Sequence, residues 1–414
     1  MLGLTATISG FDANGRPRGS VSETRTAETK EQAIIRGFQA ILGHIRQHGL
    51  TDDVAVIETW MDHVSDPRIR GEMARLLGFF WLRRQNTEKA VRYSDLASEL
   101  LHGNTDSAYN AMFALLQAGR WAEVIPRGQA ALARFGDMFQ WHNILCTAFG
   151  RLGRMPEARH HGTRCLELKD AAAAGQPLRD LARIPVPPFD PTRPERNVIS
   201  FSLFGDNERY MRTAILNARA ARFIYLGWTC HFYIDDTVPQ PVVQALGAEG
   251  ARLAKVKGLP TDPFGTFWRF LVADDAEVDR YIVRDADSVV NIRECVAVQE
   301  WLASGRHFHV MRDNYDHGEL VLAGMWGGVR DALPPIGPWA QRYLASRTDL
   351  AGRTADQEFL RDQVWPTMRA SVLTHDSQFA FGDRRDFPEV GRLPPGCYVG
   401  CDGRVMLNLK PVPT

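Results

Sequence analysis

An excess of either charge, a paired-cysteine motif and a long apolar run are all missing from this chain. Lysine plus arginine and aspartate plus glutamate each total 49, so the formal net charge is zero. That balance removes any global electrostatic argument for nucleic acid or an anionic membrane as a partner, leaving only local patches. No apolar stretch approaches the roughly 20 residues of a spanning helix. The start, MLGLTATISGFDANGRPRGS, lacks the basic end and sustained apolar core of a secretory signal, so a soluble, cytoplasmic protein is expected. Six cysteines, at 146, 165, 230, 295, 397 and 401, include no Cys-x-x-Cys pair, and no histidine cluster stands beside them. A zinc site is not expected. Cys397 and Cys401, in GCYVGCDG, are expected as two free thiols in a glycine-rich turn.

What is present falls into two halves. A chain of 414 residues predicts two or three domains. After an N-terminal segment, 1–28, residues 29–175 are rich in Ala, Leu, Arg, Gln and Glu at helical spacing. Within them AYNAMFALLQAGRWAEVI (108–125) is echoed by HNILCTAFGRLGRMPEAR (142–159), with Gly119 and Gly153, Arg120 and Arg154, and Glu123 and Glu157 each matched at a spacing of 34. One period earlier Gln85 stands where the turn glycine belongs. Three degenerate repeats of this length resemble tetratricopeptide helix pairs, which bury their apolar faces only by stacking on neighbours. Such an array offers a docking surface for a partner; the plainer alternative is a spacer or a dimerisation module.

Residues 176–195 carry six prolines and predict a linker between domains. From 196 to 414 the period changes. NVISFSLFG, GWTCHFYIDD and DRYIVRDADS read as strands and NERYMRTAILNARAARFIY as an amphipathic helix, which predicts an α/β domain with a mostly parallel sheet covered on both faces. Ligands of such sheets gather beyond the carboxyl ends of the strands. Asp235, Asp236, Asp285 and Asp287 all fall at those ends. Aspartates two apart in an extended backbone share a side, so one cation can meet both Asp285 and Asp287, and hard oxygen ligands suit Mn2+ or Mg2+. Against this stands chance, since a chain of this length holds roughly one Asp-x-Asp triplet without function. In HVMRDNYDHGELVLAGMWGG (309–328), Asp313, His317 and Trp326 crowd a glycine-rich segment, where Trp326 offers a ring for stacking and Gly324, Gly327 and Gly328 permit close backbone approach to a sugar. The alternative is a turn over a core tryptophan.

Four segments in order, ISFSLFG, FWRFLVADD, YIVRDADS and DQEFL (356–360), make residues 195–400 resemble GT-A fold glycosyltransferases, nearest to the glycogenin-like and lipopolysaccharide galactosyltransferase-like retaining enzymes. The resemblance implies a Rossmann-like GT-A domain transferring a sugar from a nucleotide-sugar donor, UDP being the expected nucleotide, to a protein or glycan acceptor that the repeats would dock. It implies Asp285, Asp287 and His375 as ligands of Mn2+ or Mg2+, and Asp356 and Gln357 as catalytic residues at the sugar. Phe201, Asp235, Arg269 and Arg384 are implied on the donor; the plainer alternatives are that Asp235 starts the turn DDTVP and that Arg269 reaches the surface from its aromatic helix. One departure is plain: the glycine and lysine that follow the family's histidine at fixed spacing are missing from HDSQFAFGDRR, where Arg384 or Arg385 is the substitute. Two rival readings are a non-catalytic adaptor with a worn transferase domain, and a metal-dependent nucleotidyltransferase or sugar-nucleotide hydrolase.

Overall fold

The computed structural model describes residues 28–173, 175–257, 264–347, 354–391 and 393–406. Almost all of the expected N-terminal segment lies outside them. The chain divides into two compact units between Ala118 and Gly119.

The first unit is helical: α1 (Lys30–His48), α2 (Ile57–Trp60), α3 (Pro67–Arg83), α4 (Thr87–Leu100) and α5 (Thr105–Gln117). Its starts are written in the sequence. Thr29 and Gln32 form a reciprocal capping box on α1, Asp66 caps α3 ahead of Pro67, and Asn86 and Asn104 cap α4 and α5. Met73, Ala74 and Leu77 of α3 pack with Tyr93 and Ala97 of α4 and with Ile57 of α2. The repeat phasing is borne out in the backbone. Gly119 and Gly153 take φ of 75° and 73°, and Gln85, one period earlier, is held at φ 58°. A side chain in that left-handed region is strained and glycine is not, although glycine loses more freedom on folding. Gln85→Gly is therefore expected to stabilise the first unit by about 0.5–1 kcal/mol, read as a higher urea midpoint at unchanged slope.

The second unit opens with three more helices, α6 (Trp121–Phe135), α7 (Phe139–Arg151) and α8 (Met155–Ala172). The alternating part then runs β1 (Asn197–Leu203), α9 (Glu208–Ile224), β2 (Thr229–Ile234), α10 (Gln240–Ala248), β3 (Arg252–Lys255) and, after 3₁₀ turns over Phe264–Asp274, β4 (Arg280–Arg284). Next come α11 (Ile292–Ser304), β5 (Phe308–Arg312), β6 (Met325–Val329), α12 (Ile336–Ala345) and α13 (Ala355–Phe359), with a π-turn at Leu360–Val364 leading into α14 (Trp365–Met368). The chain closes with β7 (Val372–Asp376), β8 (Arg384–Arg385) and α15 (Gly403–Met406). The strands form one sheet in the order β3-β2-β1-β4-β6-β5-β7-β8, in which β6 alone runs opposite to its neighbours. All seven residues of β1 are buried, as expected of a strand covered on both faces.

The division does not fall in the Pro-rich segment. That segment is bound to the sheet unit: the carbonyl of Ile184 meets the His307 ring at 2.8 Å, that of Pro187 accepts from Arg280, and that of Asp190 accepts from Asn197 at 3.0 Å. Proline lacks the N–H but keeps the carbonyl, so a proline-rich stretch can be held entirely through its acceptors. Leu145, Phe149, Ala158 and Leu166 of α7 and α8 share one apolar core with the sheet. The third helical repeat is thus part of the α/β body.

Candidate functional site

The sheet order reverses between β1 and β4, because the chain runs outward through β2 and β3 before returning to the other side of β1. A crevice forms at such a switch point, beyond the carboxyl ends of the strands. Here it is a cavity of about 630 Å³, lined by Ser202–Asn207 at the end of β1 and just beyond it, Asp285–Asp287 after β4, and Arg269, His317, Gly324, Asp356 and Gln357.

Each charged group is placed by named contacts. Serines alternate along β1, and Ser200 donates to the Arg269 carbonyl at 2.6 Å while Ser202 accepts from the Arg269 N–H at 2.9 Å. These two bonds clamp the 3₁₀ segment so that Arg269, 6% exposed, reaches into the crevice. Its guanidinium donates to Asp285 and, at 2.8 Å, to Asp356. Asp356, 4% exposed, also accepts from the Gln357 N–H at 2.9 Å. Burial raises the Asp356 pKa against the pull of Arg269, and the pKa of Asp287 is raised by burial and then by Asp285. For Arg269, burial opposes the charge, but Asp285 and Asp356 outweigh it and its pKa rises.

The aspartates do not reach the cavity by strand alternation. β4 ends at Arg284, and Asp285 opens a turn closed by the Ser288 N–H on its carbonyl at 3.2 Å. Asn217 of α9 fixes the chain just past this turn, donating to the Ser288 carbonyl at 2.8 Å and accepting from the Val290 N–H at 2.9 Å. Close approach decides one more position. A Cβ on Gly324 would overlap the Asp285 carboxylate, so only glycine leaves that side chain its place. Gly327 and Gly328, by contrast, meet Tyr281, Ile282 and Phe308 inside the sheet and leave no room for a sugar.

Several expected site residues lie elsewhere. Phe201 is fully buried and stacks on Phe232 at 4.6 Å, on the other face of β1 from the two serines. Trp326 is fully buried against Phe270 and Tyr281, the core tryptophan of the plainer reading. Asp235 accepts from the Thr237 N–H at 3.0 Å and serves a turn, and Asp236 pairs with Lys255. Asp313 is consumed by Arg293, by Ser377 at 2.6 Å and by the Val399 N–H at 3.0 Å, so it pins the C-terminal segment. Arg384 spends its donors on the Asp376 carbonyl and on Asp386 at the sheet edge.

His375 is three strands from β4, roughly 14 Å at strand spacing, too far to share an ion with Asp285. It meets His309 at 2.8 Å and Glu300 at 3.1 Å.

Three groups in the cavity region escaped sequence reading. Arg209, at the start of α9, donates to Asp287 and, at 2.9 Å, to Asp402. Asp402 is brought there by a bridge to Ser288 and by the Gly403 N–H on the Asp287 carbonyl at 2.7 Å. Tyr210 lines the same crevice. The available signals were the arginine in the first turn of the helix after β1 and the single acidic residue of GCDG.

Four carboxylates, Asp285, Asp287, Asp356 and Asp402, thus face two buried or half-buried guanidiniums, Arg209 and Arg269, with Arg404 on Asp402 at the exposed rim. The excess of negative charge and the half-open Asp285 carboxylate, 41% exposed, suit one divalent cation. Among the described residues no three Cys, His, Asp or Glu side chains form a ready ligand set, so further oxygens would come from what binds beside it. The Nε groups of Arg209 and Arg269 are buried and donate to nothing among the described residues.

No protein-family profile and no curated protein matches the chain. Among solved structures it is similar to MamA 41-end from Desulfovibrio magneticus RS-1, at 15% identity over 34% of this chain and 77% of that one, with a TM-score of 0.29. It is also similar to a Thermobaculum terrenum O-GlcNAc transferase mutant, at 19% identity over 62% of this chain and 46% of that one, TM-score 0.39. A third is 4-diphosphocytidyl-2C-methyl-D-erythritol synthase from Anaerococcus prevotii, at 12% identity over 44% and 86%, TM-score 0.29. Among the described residues no helix is long and apolar enough to cross a membrane.

Proposed function

We propose that the second unit is a metal-dependent glycosyltransferase of GT-A type that transfers a sugar from a nucleotide diphosphate, UDP by preference, to a protein or glycan hydroxyl with retention. The observation that carries the reading is the convergence of Asp285, Asp287, Arg269, Asp356 and Gln357 on one cavity at the β1/β4 switch point. Asp285 and Asp287 would hold Mn2+ or Mg2+, which neutralises charge on a departing diphosphate.

The chain's own residues would do the rest. Arg269 orients Asp356, which accepts hydrogen bonds from sugar hydroxyls, and Gln357 presents its amide dipole to the reacting carbon. The bond from the anomeric carbon to the diphosphate oxygen breaks with its electron pair leaving on that oxygen. The acceptor oxygen bonds the same carbon, and its proton passes to the diphosphate. Neither Asp356 nor Gln357 needs to be a strong base.

A thermal-shift screen of UDP-, GDP-, CMP- and dTDP-sugars with and without Mn2+ tests the reading. One nucleotide should raise the melting temperature by several degrees only when the ion is present, by mass action. Asp287→Asn should remove that dependence while keeping the fold. Gly324→Ala should weaken it as well, because its methyl displaces Asp285. No metal-dependent nucleotide shift in the wild-type protein would sink the proposal, and an inverted product by NMR would remove retention from it.

A further inference from the structure

Part of the cavity wall comes from the long loop joining β5 to β6, which contributes His317 and Gly324. Arg312 of β5 holds the middle of that loop from the sheet, donating to the Leu320 carbonyl at 2.8 Å. Helices α7 and α8 hold it from behind: the Cys146 thiol donates to the Tyr315 carbonyl at 3.2 Å, Arg151 pairs with Asp316 at 2.9 Å, and Lys169 donates to the Gly318 carbonyl and to Glu319, both at 2.6 Å. Lys169 is 1% exposed, so a lysine charge has been carried into the interior to meet this loop. Such burial is rare without a demanding partner. Gly150 sits directly on the Tyr315 ring, where any side chain would collide.

The residue before Gly318 is His317. Its Nδ1 accepts from the Asp313 N–H at 2.9 Å, and a backbone N–H can only donate, so the neutral ring carries its proton on Nε2. Burial holds the His317 pKa down at about 4, and Asp313 pulls it back only in part, so the ring stays neutral at physiological pH. A neutral N–H in a cavity of carboxylates suits a hydroxyl oxygen.

We propose that Lys169 is a positioning residue for His317: by gripping Gly318 and Glu319 from α8 it fixes the imidazole so that Nε2–H is offered to a hydroxyl of the donor sugar. The third helical repeat is then part of the sugar site. This role for His317 rests on the nucleotide-sugar reading, whereas the coupling of Lys169 to the ring does not.

The experiment separates the two. Histidine ring nitrogen NMR on the full chain reports the His317 tautomer without any ligand. In Lys169→Met the single Nε2–H form should give way to averaged signals, and Lys169→Arg, which keeps a charge in the fold, should shift them less. Titration with UDP and with the UDP-sugar that stabilises the wild type should show sugar-dependent affinity falling roughly tenfold in Lys169→Met, the size of one lost hydrogen bond, with UDP affinity unchanged. His317 signals identical to wild type in both variants would overturn the coupling. Equal loss for UDP and UDP-sugar would overturn the sugar hydroxyl as the ligand, and a wild type that binds neither would remove the parent reading while leaving the coupling measured.

Discussion

An Arg269→Ala variant should unfold about 3–5 kcal/mol more easily than the wild type near pH 7, because removing one partner of a buried ion pair leaves the other charge unmatched. The stranded group is Asp356, 4% exposed, left with backbone N–H donors, that of Gln357 at 2.9 Å among them. The pH dependence has a fixed sign. Burial already raises the Asp356 pKa above its unfolded value, so the folded chain binds this proton more readily and stability from the group falls as pH rises through the folded pKa. Loss of Arg269 raises that pKa further. Urea midpoints should therefore differ most at neutral pH and converge as pH falls into the range where Asp356 is protonated. Adding Asp356→Asn to Arg269→Ala should recover much of the loss. A deficit that is the same at pH 7 and pH 4.5 would show that the guanidinium matters for packing and not for charge.

Cutting the chain within its proline-rich segment is expected to have a still larger effect. A fragment from Arg193 onward loses α7 and α8, and with them Leu145, Phe149 and Leu166, which close the apolar core. At roughly 1.5–3 kcal/mol per fully buried large side chain the loss approaches the whole stability of a domain. Lys169 would also leave Gly318 and Glu319 without their partner. That fragment should lack a cooperative melting transition, whereas one beginning at Gly119 should keep it. Calorimetry of the two decides, and a cooperative transition in the shorter fragment would return α7 and α8 to the status of an appendage.

Much of this was legible in the amino-acid order itself. The spacing of 34 put Gln85 at the turn position that glycine holds in the next two repeats, and the structure gives all three residues a positive φ, the conformation that favours glycine after a helix. Strand and helix alternation predicted the α/β sheet, and the position of Asp285 after an apolar strand predicted a crevice. What failed depended on facing direction across long separations. Phe201 and the serines beside it share one strand, and only the packing of Phe264–Asp274 shows which side is the site. His375 stands on a strand whose place in the sheet depends on β5 and β6, and no local pattern encodes that order. Asp402 arrives through a bridge across more than a hundred residues. Trp326 had the composition of a binding platform and the register of a core residue, since it lies opposite Val283 and Val310 in the sheet.

The bridge from Ser288 to Asp402 also bears on the order in which the molecule is made. A ribosome emits β1, α9 and β4 long before it reaches residue 402, and those segments can collapse locally as they emerge. β4 nonetheless waits for β6 as its neighbour, β5 waits for β7, and Asp287 waits for the C-terminal turn. Pairings of such separation form late because loop closure comes before any contact rewards it. A nascent chain that has not yet reached residue 402 would therefore carry the paired aspartates without their closing segment, and the crevice becomes whole only once that residue has emerged.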